Sequence, residues 1–225
     1  MDKIVPAFEI SLMDPTLANA CVDFVETGID SVLNDGVLKS IPIVGVLVGI
    51  GKTAQNIHDR NLLRQTLRFI NSFNSGTIKR EKLEKYRSEL NSDQNKAEAE
   101  LGRVLILLNN NNIDLKKSDI LGKLYKAYVY EDITWEDFCE LSDVVNRLFL
   151  TDLELLIQIE CGEVKKTKDC VPYKAERLNS LGLIDMVIQA MIFSSDPKGN
   201  DTDKAIEISE LGKRLVDYGV KYERW

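Results

Sequence analysis

Apolar residues recur at steps of three and four along most of the first 150 residues, which is the spacing of an amphipathic α-helix. Asp14 and Pro15 supply a capping residue and a first-turn proline for one helix. A second helical stretch begins at Pro42 and runs to Ser75. We expect either a break near Gly51-Lys52 or a tightly packed neighbour that compensates, because each glycine within a helix costs about 1 kcal/mol relative to alanine.

The stretch 79–100 differs, because it carries six basic and six acidic side chains and few large apolar ones. This pattern predicts a solvated helix and loop region, in which Glu81 and Lys85 are spaced for an ion pair across one helical turn. Two further helix starts, at Thr134 and at Thr151, have the capping-box pattern [ST]-x-x-[DE]. The N-terminal part of the chain therefore predicts a helical bundle.

The pattern changes after Gly162. A helix is expected over 172–184, and the apolar run 186–193 is compatible with a strand. A polar turn follows, the stretch 204–208 can return as a second strand, and Ser209 is placed to cap a final helix. The order helix, strand, turn, strand, helix predicts a small α+β module.

This last part of the chain, 151–222, resembles a winged-helix module. The resemblance rests on the strings RLNSLGLI, in the expected recognition helix, and EISELGKRLVDY, after the expected wing. The predicted fold class is therefore mainly α. A helical bundle domain occupies residues 1–150, and a small winged-helix-like α+β module occupies residues 151–225.

The composition of the 225-residue chain is that of a globular protein, with 44% hydrophobic and 29% charged residues. A formal net charge of −7 disfavours polyanion binding as the role of the whole molecule. His58 is the one histidine, which excludes a histidine-rich metal site, and no nucleophile motif accompanies it. The sequence thus predicts no catalytic residue, no cofactor site and no metal site, and we expect that the protein is not an enzyme.

The four cysteines form no CxxC pair, so the sequence contains neither a zinc knuckle nor a thioredoxin-like motif. Cys161 and Cys170 are close enough in sequence to leave a disulfide open. Residues 1–13, however, carry charges and lack the apolar run of a secretory signal. The expected location is the cytoplasm, where disulfides are rare.

The longest apolar run, IPIVGVLVGI over residues 41–50, would span about 15 Å as a helix, against about 30 Å for the core of a bilayer. It cannot cross a membrane alone, but peripheral membrane contact stays open. The run leads into a P-loop-like Gly51-Lys52-Thr53, yet Val46 stands where a P-loop needs its first glycine. Gly45 and Gly49 instead favour the close approach of another helix.

A local excess of positive charge lies within 52–87, which holds nine basic residues against three acidic ones. Arg60, Arg64 and Arg68 repeat there at every fourth position and so share one face of a helix. Such a stripe suits an anion, an anionic lipid surface or an acidic partner. The favoured interpretation is a solvated face, or one paired with acidic residues of neighbouring helices.

The expected recognition helix carries Lys174 and Arg177, which could face a DNA groove or a protein partner. The expected wing, 194–203, holds three aspartates and one lysine, and 151–225 holds 11 basic against 14 acidic residues. A wing that lies on DNA usually meets phosphates. This charge therefore favours contact with a protein, and nucleic-acid binding is disfavoured without being excluded.

The final helix ends in an aromatic stripe on one side, which includes Tyr218, Tyr222 and Trp225. Such a stripe most often docks into the core of its own chain. The alternative is a homodimer, in which the three aromatic residues form a self-association surface, since Tyr and Trp are favoured interface anchors.

The stretch 28–73, which contains IPIVGVLVGIGKTAQNIHDR, is similar to a group of uncharacterised bacterial proteins with an IPIV…GK…DR core. The strings ELGRVLILL and ITWEDFCELSDVVNRLF carry the same resemblance. The resemblance implies a bacterial or phage origin and an association with antiviral or other stress-response systems. It implies no activity.

These features predict a non-catalytic interaction or regulatory protein that acts through contacts with a protein partner. Two alternatives stay open. One is a membrane-active effector of bacterial antiviral defence, in which 41–50 becomes exposed and the arginine stripe meets lipid phosphates. The other is a winged-helix regulator that binds DNA through Lys174 and Arg177.

Overall fold

The computed structural model describes residues 3–17, 41–50, 57–76, 79–109, 114–188 and 204–221. Over these residues the chain is mainly helical, with one small two-stranded antiparallel sheet. It divides into two compact units, the first reaching Ser142 and the second covering Asp143–Lys221. The division falls eight residues before the end of the predicted bundle domain.

The first unit is built from helices. They are, in chain order, α1 (Ile4–Leu12), α2 (Pro42–Ile50), α3 (Ile57–Asn74), α4 (Arg80–Ser92), α5 (Gln94–Asn109), α6 (Leu115–Val129) and α7 (Trp135–Arg147), whose last turn lies beyond Ser142. The sequence pattern does not predict α1, yet its Phe8 and Leu12 are fully buried. The helix expected after Pro15 lies almost entirely outside the described residues.

Aromatic side chains fill the core of the first unit. The ring centroid of Tyr125 in α6 lies 5.7 Å from that of Phe69, 5.9 Å from that of Phe73 and 5.2 Å from that of Phe138. All four side chains are fully buried. Edge and tilted ring contacts of this kind add to the hydrophobic stabilisation.

Helices α3 and α6 pack side by side and run in the same direction, because their contacts advance together along both. Arg68 pairs with Asp119, and further along both helices Lys126 donates a hydrogen bond to the carbonyl oxygen of Ser75. Gly122 allows this close approach, since a Cβ there would lie 2.7 Å from a backbone oxygen of α3.

The stretch 79–100 is mostly exposed, as its charges predict, but it also contributes side chains to the core. Helix α4 buries Leu83, Tyr86 and Leu90, and α5 buries the carboxylate of Glu100. The apolar residues of α4 follow helical spacing, but they are few among many charges. The prediction of a solvated surface is confirmed, but the buried stripe was missed because the apolar residues that form it are few.

The ion pair expected between Glu81 and Lys85 does not form. Lys85 instead pairs with Glu131, which also binds Lys82. Glu131 lies two residues beyond the end of α6, and its lysine partners lie on another helix. No local spacing rule could have found this pair.

The second unit joins short helices to a β-hairpin. Its elements are α8 (Leu150–Glu160), a 3₁₀ turn (Thr167–Asp169), α9 (Pro172–Ser180), β1 (Ile184–Ile188), β2 (Lys204–Ile208) and α10 (Glu210–Arg214), which continues as a π-helix (Leu215–Val220). Helix α9 ends four residues before its predicted end, because Gly182, with φ +73°, turns the chain into β1. The remainder of the predicted first strand and the wing lie outside the described residues.

The strands β1 and β2 pair antiparallel, with Ile184 opposite Ile208 and Ile188 opposite Lys204. A third chain segment joins β2, because Lys166 forms an isolated bridge with Ala205. The sequence pattern gives no sign of this third segment.

The two capping-box predictions have different outcomes. At Thr134 the box is complete, since its Oγ1 accepts from the backbone N–H of Asp137 at 3.1 Å and its own N–H donates to Oδ2 of that residue at 2.9 Å. At Thr151 the prediction was wrong. Helix α8 begins one residue earlier, at Leu150, so Thr151 lies inside the first turn and caps nothing.

The strings that carry the winged-helix resemblance meet in space. Ser209 accepts from the backbone N–H of Gly212 at 3.0 Å, which confirms its capping role, and its hydroxyl donates to the carbonyl of Gly182 at 2.6 Å. A Cβ at Gly212 would lie 2.1 Å from the carbonyl oxygen of Leu183. The closing helix thus sits directly on the chain that leaves α9.

Candidate functional site

Arg177, on α9, is held by a buried carboxylate. Its Nε donates to Oδ2 of Asp152 at 2.7 Å and its Nη2 donates to Oδ1 at 2.6 Å. Asp152 lies in the first turn of α8, and its side chain is 1% exposed. This hydrogen bonding to Asp152 raises the pKa of Arg177. The two-pronged pair fixes the guanidinium in one orientation and neutralises its charge.

Two aromatic rings lie against the same guanidinium. Its carbon is 4.4 Å from the ring centroid of Phe149, at the N-cap of α8, and 4.9 Å from that of Tyr173, in the first turn of α9. Phe149 and Tyr173 are each 56% exposed, and the neighbouring Val171 is 45% exposed. We call Phe149, Val171, Tyr173 and Arg177 the aromatic–arginine patch.

Lys174 lies beside the patch, and its ammonium donates to the backbone carbonyl of Thr151 at 2.9 Å. The predicted pair Lys174 and Arg177 therefore does share one region of α9, but both cations reach back to α8. The geometry offers an exposed aromatic surface around a fixed, neutralised arginine rather than two free positive charges.

Sequence reasoning found Arg177 and missed the rest of the patch. A usable signal was present, since Tyr173 and Arg177 are four residues apart and so share a helix face. Asp152 gave no such signal, because it pairs with a residue 25 positions away. Asp152 lies within the capping-box-like string Thr151-Asp-Leu-Glu154, which predicted only the start of a helix.

The arginine stripe of α3 does not form one free cationic surface. Arg68 binds Asp119 of α6 with 2.5 Å between Nη2 and Oδ2, which is the pairing with a neighbouring helix that the sequence favoured. Arg60 is half-buried and makes contacts of its own, and Arg64 is exposed. Arg64 is therefore the member of the stripe that is most accessible to solvent.

The apolar run 41–50 is helical and half-enclosed. Its inward face carries Ile41, Ile43, Val44 and Leu47, all of them buried. Its outward face carries Gly45 and Gly49, and a Cβ at Gly49 would meet no atom of the described residues within 4 Å. Among the described residues, Gly49 therefore does not make the close helix contact that the glycine spacing predicts.

This arrangement bears on the membrane alternative. Exposing the inward face of α2 would remove four core side chains from the fold, at about 1.5–3 kcal/mol each. Among the described residues, no helix combines the length and the apolarity needed to span a bilayer. The helix also stands where a P-loop needs a strand, directly before Gly51.

A buried carboxylate joins three helices of the first unit. Glu100 of α5 accepts hydrogen bonds from the hydroxyls of Tyr86, at 2.6 Å, and Tyr128, at 2.8 Å, while the hydroxyls of Tyr86 and Tyr125 lie 2.6 Å apart. Burial raises the pKa of all three tyrosines, so they remain protonated donors. This network satisfies the polar groups of the core and ties α4, α5 and α6 together.

No family or homologue identifies the chain. Comparisons with family models, with curated proteins and with solved structures return no match. The candidate site therefore rests on its geometry alone.

Of the aromatic stripe predicted for the final helix, only Tyr218 lies within the described residues. Leu215 is fully buried, and Tyr218 is half-buried with contacts of its own. Tyr222 and Trp225 lie outside the described residues. The described part of this helix thus docks into its own unit, and the self-association surface stays a prediction.

The disulfide that the sequence left possible does not form, since Cys161 and Cys170 are both free thiols. Hydrogen bonding to Glu160 raises the pKa of Cys161, and burial raises that of Cys170. Within the ranges that the structure describes, no three His, Cys, Asp or Glu side chains are grouped as a metal site requires.

Proposed function

We propose that this chain is a non-catalytic interaction or regulatory protein that acts through protein–protein contacts. The aromatic–arginine patch of the second unit is its docking surface. The observation that carries the proposal is the exposure of two aromatic rings and a valine around an arginine that is already fixed in place.

The composition of the patch supports a protein partner. Tyr, Phe and Arg are enriched in the centres of protein interfaces, where a few well-placed side chains carry most of the affinity. Arg177 loses little side-chain freedom on binding, since Asp152 and the rings already orient it. A preordered anchor surrounded by exposed apolar surface is what such a contact needs.

We further propose that the second unit is a winged-helix-like module. The order of α8, the Lys166 bridge, the 3₁₀ turn, α9 and the hairpin supports this arrangement. The contacts of Ser209 and Gly212 with the chain that leaves α9 also support a winged-helix-like module. They join the two sequence strings, RLNSLGLI and EISELGKRLVDY, on which the resemblance rests.

DNA binding is the second candidate, favoured by this order of elements alone. The charges oppose it. Arg177 is neutralised by Asp152, and Lys174 is engaged with α8. A run of phosphates would meet a neutralised arginine in a unit that carries more acidic than basic residues, whereas a protein contact can also use the exposed rings of the patch.

Affinity capture with matched variants tests the proposed function. The patch variant carries Phe149→Ser and Tyr173→Ser. The control carries Ile10→Ser and Ile106→Ser, which replace residues of the first unit that are 53% and 63% exposed. We expect the wild type and the control to retain the same protein partner from the native host, and the patch variant to lose it by about tenfold or more.

Thermal melting establishes that all three chains are folded before the capture is compared. Equal retention of the partner by the patch variant would contradict the proposal. Retention of nucleic acid in place of protein would contradict it in favour of the DNA candidate.

A further inference from the structure

The guanidinium of Arg177 binds Asp152 through its Nε–Nη2 edge, and its Nη1–Nη2 edge has no acceptor among the described residues. It carries five N–H donors, of which Asp152 takes one from Nε and one from Nη2. No described residue accepts from Nη1, and 34% of the side chain is exposed. The edge between Nη1 and Nη2 is therefore without an acceptor among the described residues, on a side chain that is partly exposed.

The geometry of the Nη1–Nη2 edge favours a ligand with two adjacent acceptor oxygens. A guanidinium edge presents two parallel N–H groups, which match the two oxygens of a carboxylate. The rings of Phe149 and Tyr173 lie against the guanidinium, so apolar surface flanks the position where a carboxylate would bind. The ligand must therefore bring an anionic group and an apolar group side by side.

The charges of the patch also favour one carboxylate. Asp152 cancels the charge of Arg177, and Lys174 adds one positive charge beside them. A single monoanion balances this charge, whereas a nucleic-acid strand brings a series of phosphates. The second unit as a whole carries more acidic than basic residues, which disfavours an extended polyanion further.

We propose that the partner docks a protein segment in which an Asp or Glu carboxylate binds the Nη1–Nη2 edge of Arg177. An adjacent aromatic or branched apolar side chain packs on Phe149, Val171 and Tyr173. This inference rests on the proposed function, because it assigns the partner chemistry of the same patch.

A displayed library of random peptides, selected on the full-length chain, tests the inference. The expected result is enrichment of sequences that place Asp or Glu within two or three residues of an aromatic or aliphatic residue. A synthetic peptide of this kind is then compared with its Glu→Gln or Asp→Asn form. We expect the amide form to bind about 10-fold to 100-fold more weakly, as the loss of a charge-assisted pair predicts.

The variant Arg177→Lys supplies the matched test on the protein side. Lysine keeps a positive charge next to buried Asp152, so we expect the variant to fold, which thermal melting checks, but it has no second edge for a carboxylate. We expect at least about tenfold weaker binding of the selected peptide, with little change for Ile106→Ala. In the wild type, the side-chain Nε–H resonance of Arg177 should shift on addition of the peptide and should be missing from spectra of Arg177→Lys.

The outcomes separate this inference from the proposed function. Selection of peptides without a carboxylate, still sensitive to Phe149→Ser with Tyr173→Ser, would overturn the inference and leave the docking function in place. Equal binding to wild type and Arg177→Lys would overturn it as well. Failure to select any peptide would also count against it, whereas the docking function is judged by the capture of the intact partner.

Discussion

Glu131 binds two lysines at the point where α6 ends. Its carboxylate oxygens accept hydrogen bonds from Lys82 and Lys85 of α4. These hydrogen bonds, Lys82 first, lower the pKa of Glu131 to about 2 from an ordinary value of 4.5. The residue has φ +64°, in the left-handed region that favours glycine. The two ion pairs therefore accompany a backbone conformation that costs free energy.

The lowered pKa of Glu131 predicts how stability depends on pH. A carboxyl with a lower pKa in the folded chain stabilises the fold above pH 4.5, and this contribution is lost as the pH falls from 4.5 towards 2. As the pH falls from 4.5 towards 2, the free energy of unfolding of Glu131→Gln should therefore decrease less than that of the wild type. Urea unfolding over a pH series measures it, with Glu98→Gln, at an exposed position of α5, as the control. Identical pH profiles for Glu131→Gln and the wild type would contradict this account.

Among the elements, α10 depends on a glycine that contacts backbone. Gly212 lies against the carbonyl of Leu183, at the start of β1, and against the side chain of Ile208 in β2. A backbone oxygen at this position cannot move without disturbing the hairpin. The contact explains why the string EISELGKRL has glycine two residues into the closing helix.

Replacing that glycine should be costly. Gly212→Ala places a Cβ 2.1 Å from the oxygen of Leu183, so we expect a loss of about 1–3 kcal/mol in the free energy of unfolding. Gly102→Ala is the matched control, because a Cβ on this helical glycine of α5 meets nothing within 4 Å. That change should stabilise by up to about 1 kcal/mol. Urea denaturation compares the two variants, and an equal effect of both on the free energy of unfolding would contradict the role assigned to Gly212.

Local signals predicted those elements whose determinants are close in sequence. Thr134 and Asp137 form their capping box, and Ser209 caps the closing helix, because each contact spans three residues. The second box failed because α8 begins one residue before Thr151, so that Thr151 lies within its first turn. Helix α1 was missed because its burial depends on distant helices.

The candidate site was predictable only in outline for the same reason. The helix that carries Lys174 and Arg177 could be located from its proline and its periodicity. The role of Arg177 could not, because it depends on Asp152 and Phe149, which belong to another helix. A sequence pattern gives the face of a helix, but the partners of that face come from the fold.

For the whole molecule, the net charge of −7 conceals an uneven distribution of charge. The excess of positive charge within 52–87 is partly balanced internally, since Arg68 binds Asp119 and two lysines bind Glu131. The second unit combines an acidic composition with an exposed aromatic surface. We therefore propose that the second unit binds the partner and that the described helices of the first have a mainly structural role.

Photo-crosslinking in living cells tests this assignment most directly. A photoreactive benzoylphenylalanine replaces Tyr173 in one chain and Ile106, at a similarly exposed site of the first unit, in another. We expect a discrete protein adduct from position 173 and none from position 106. Absence of an adduct at 173, or the same adduct at both positions, would contradict it.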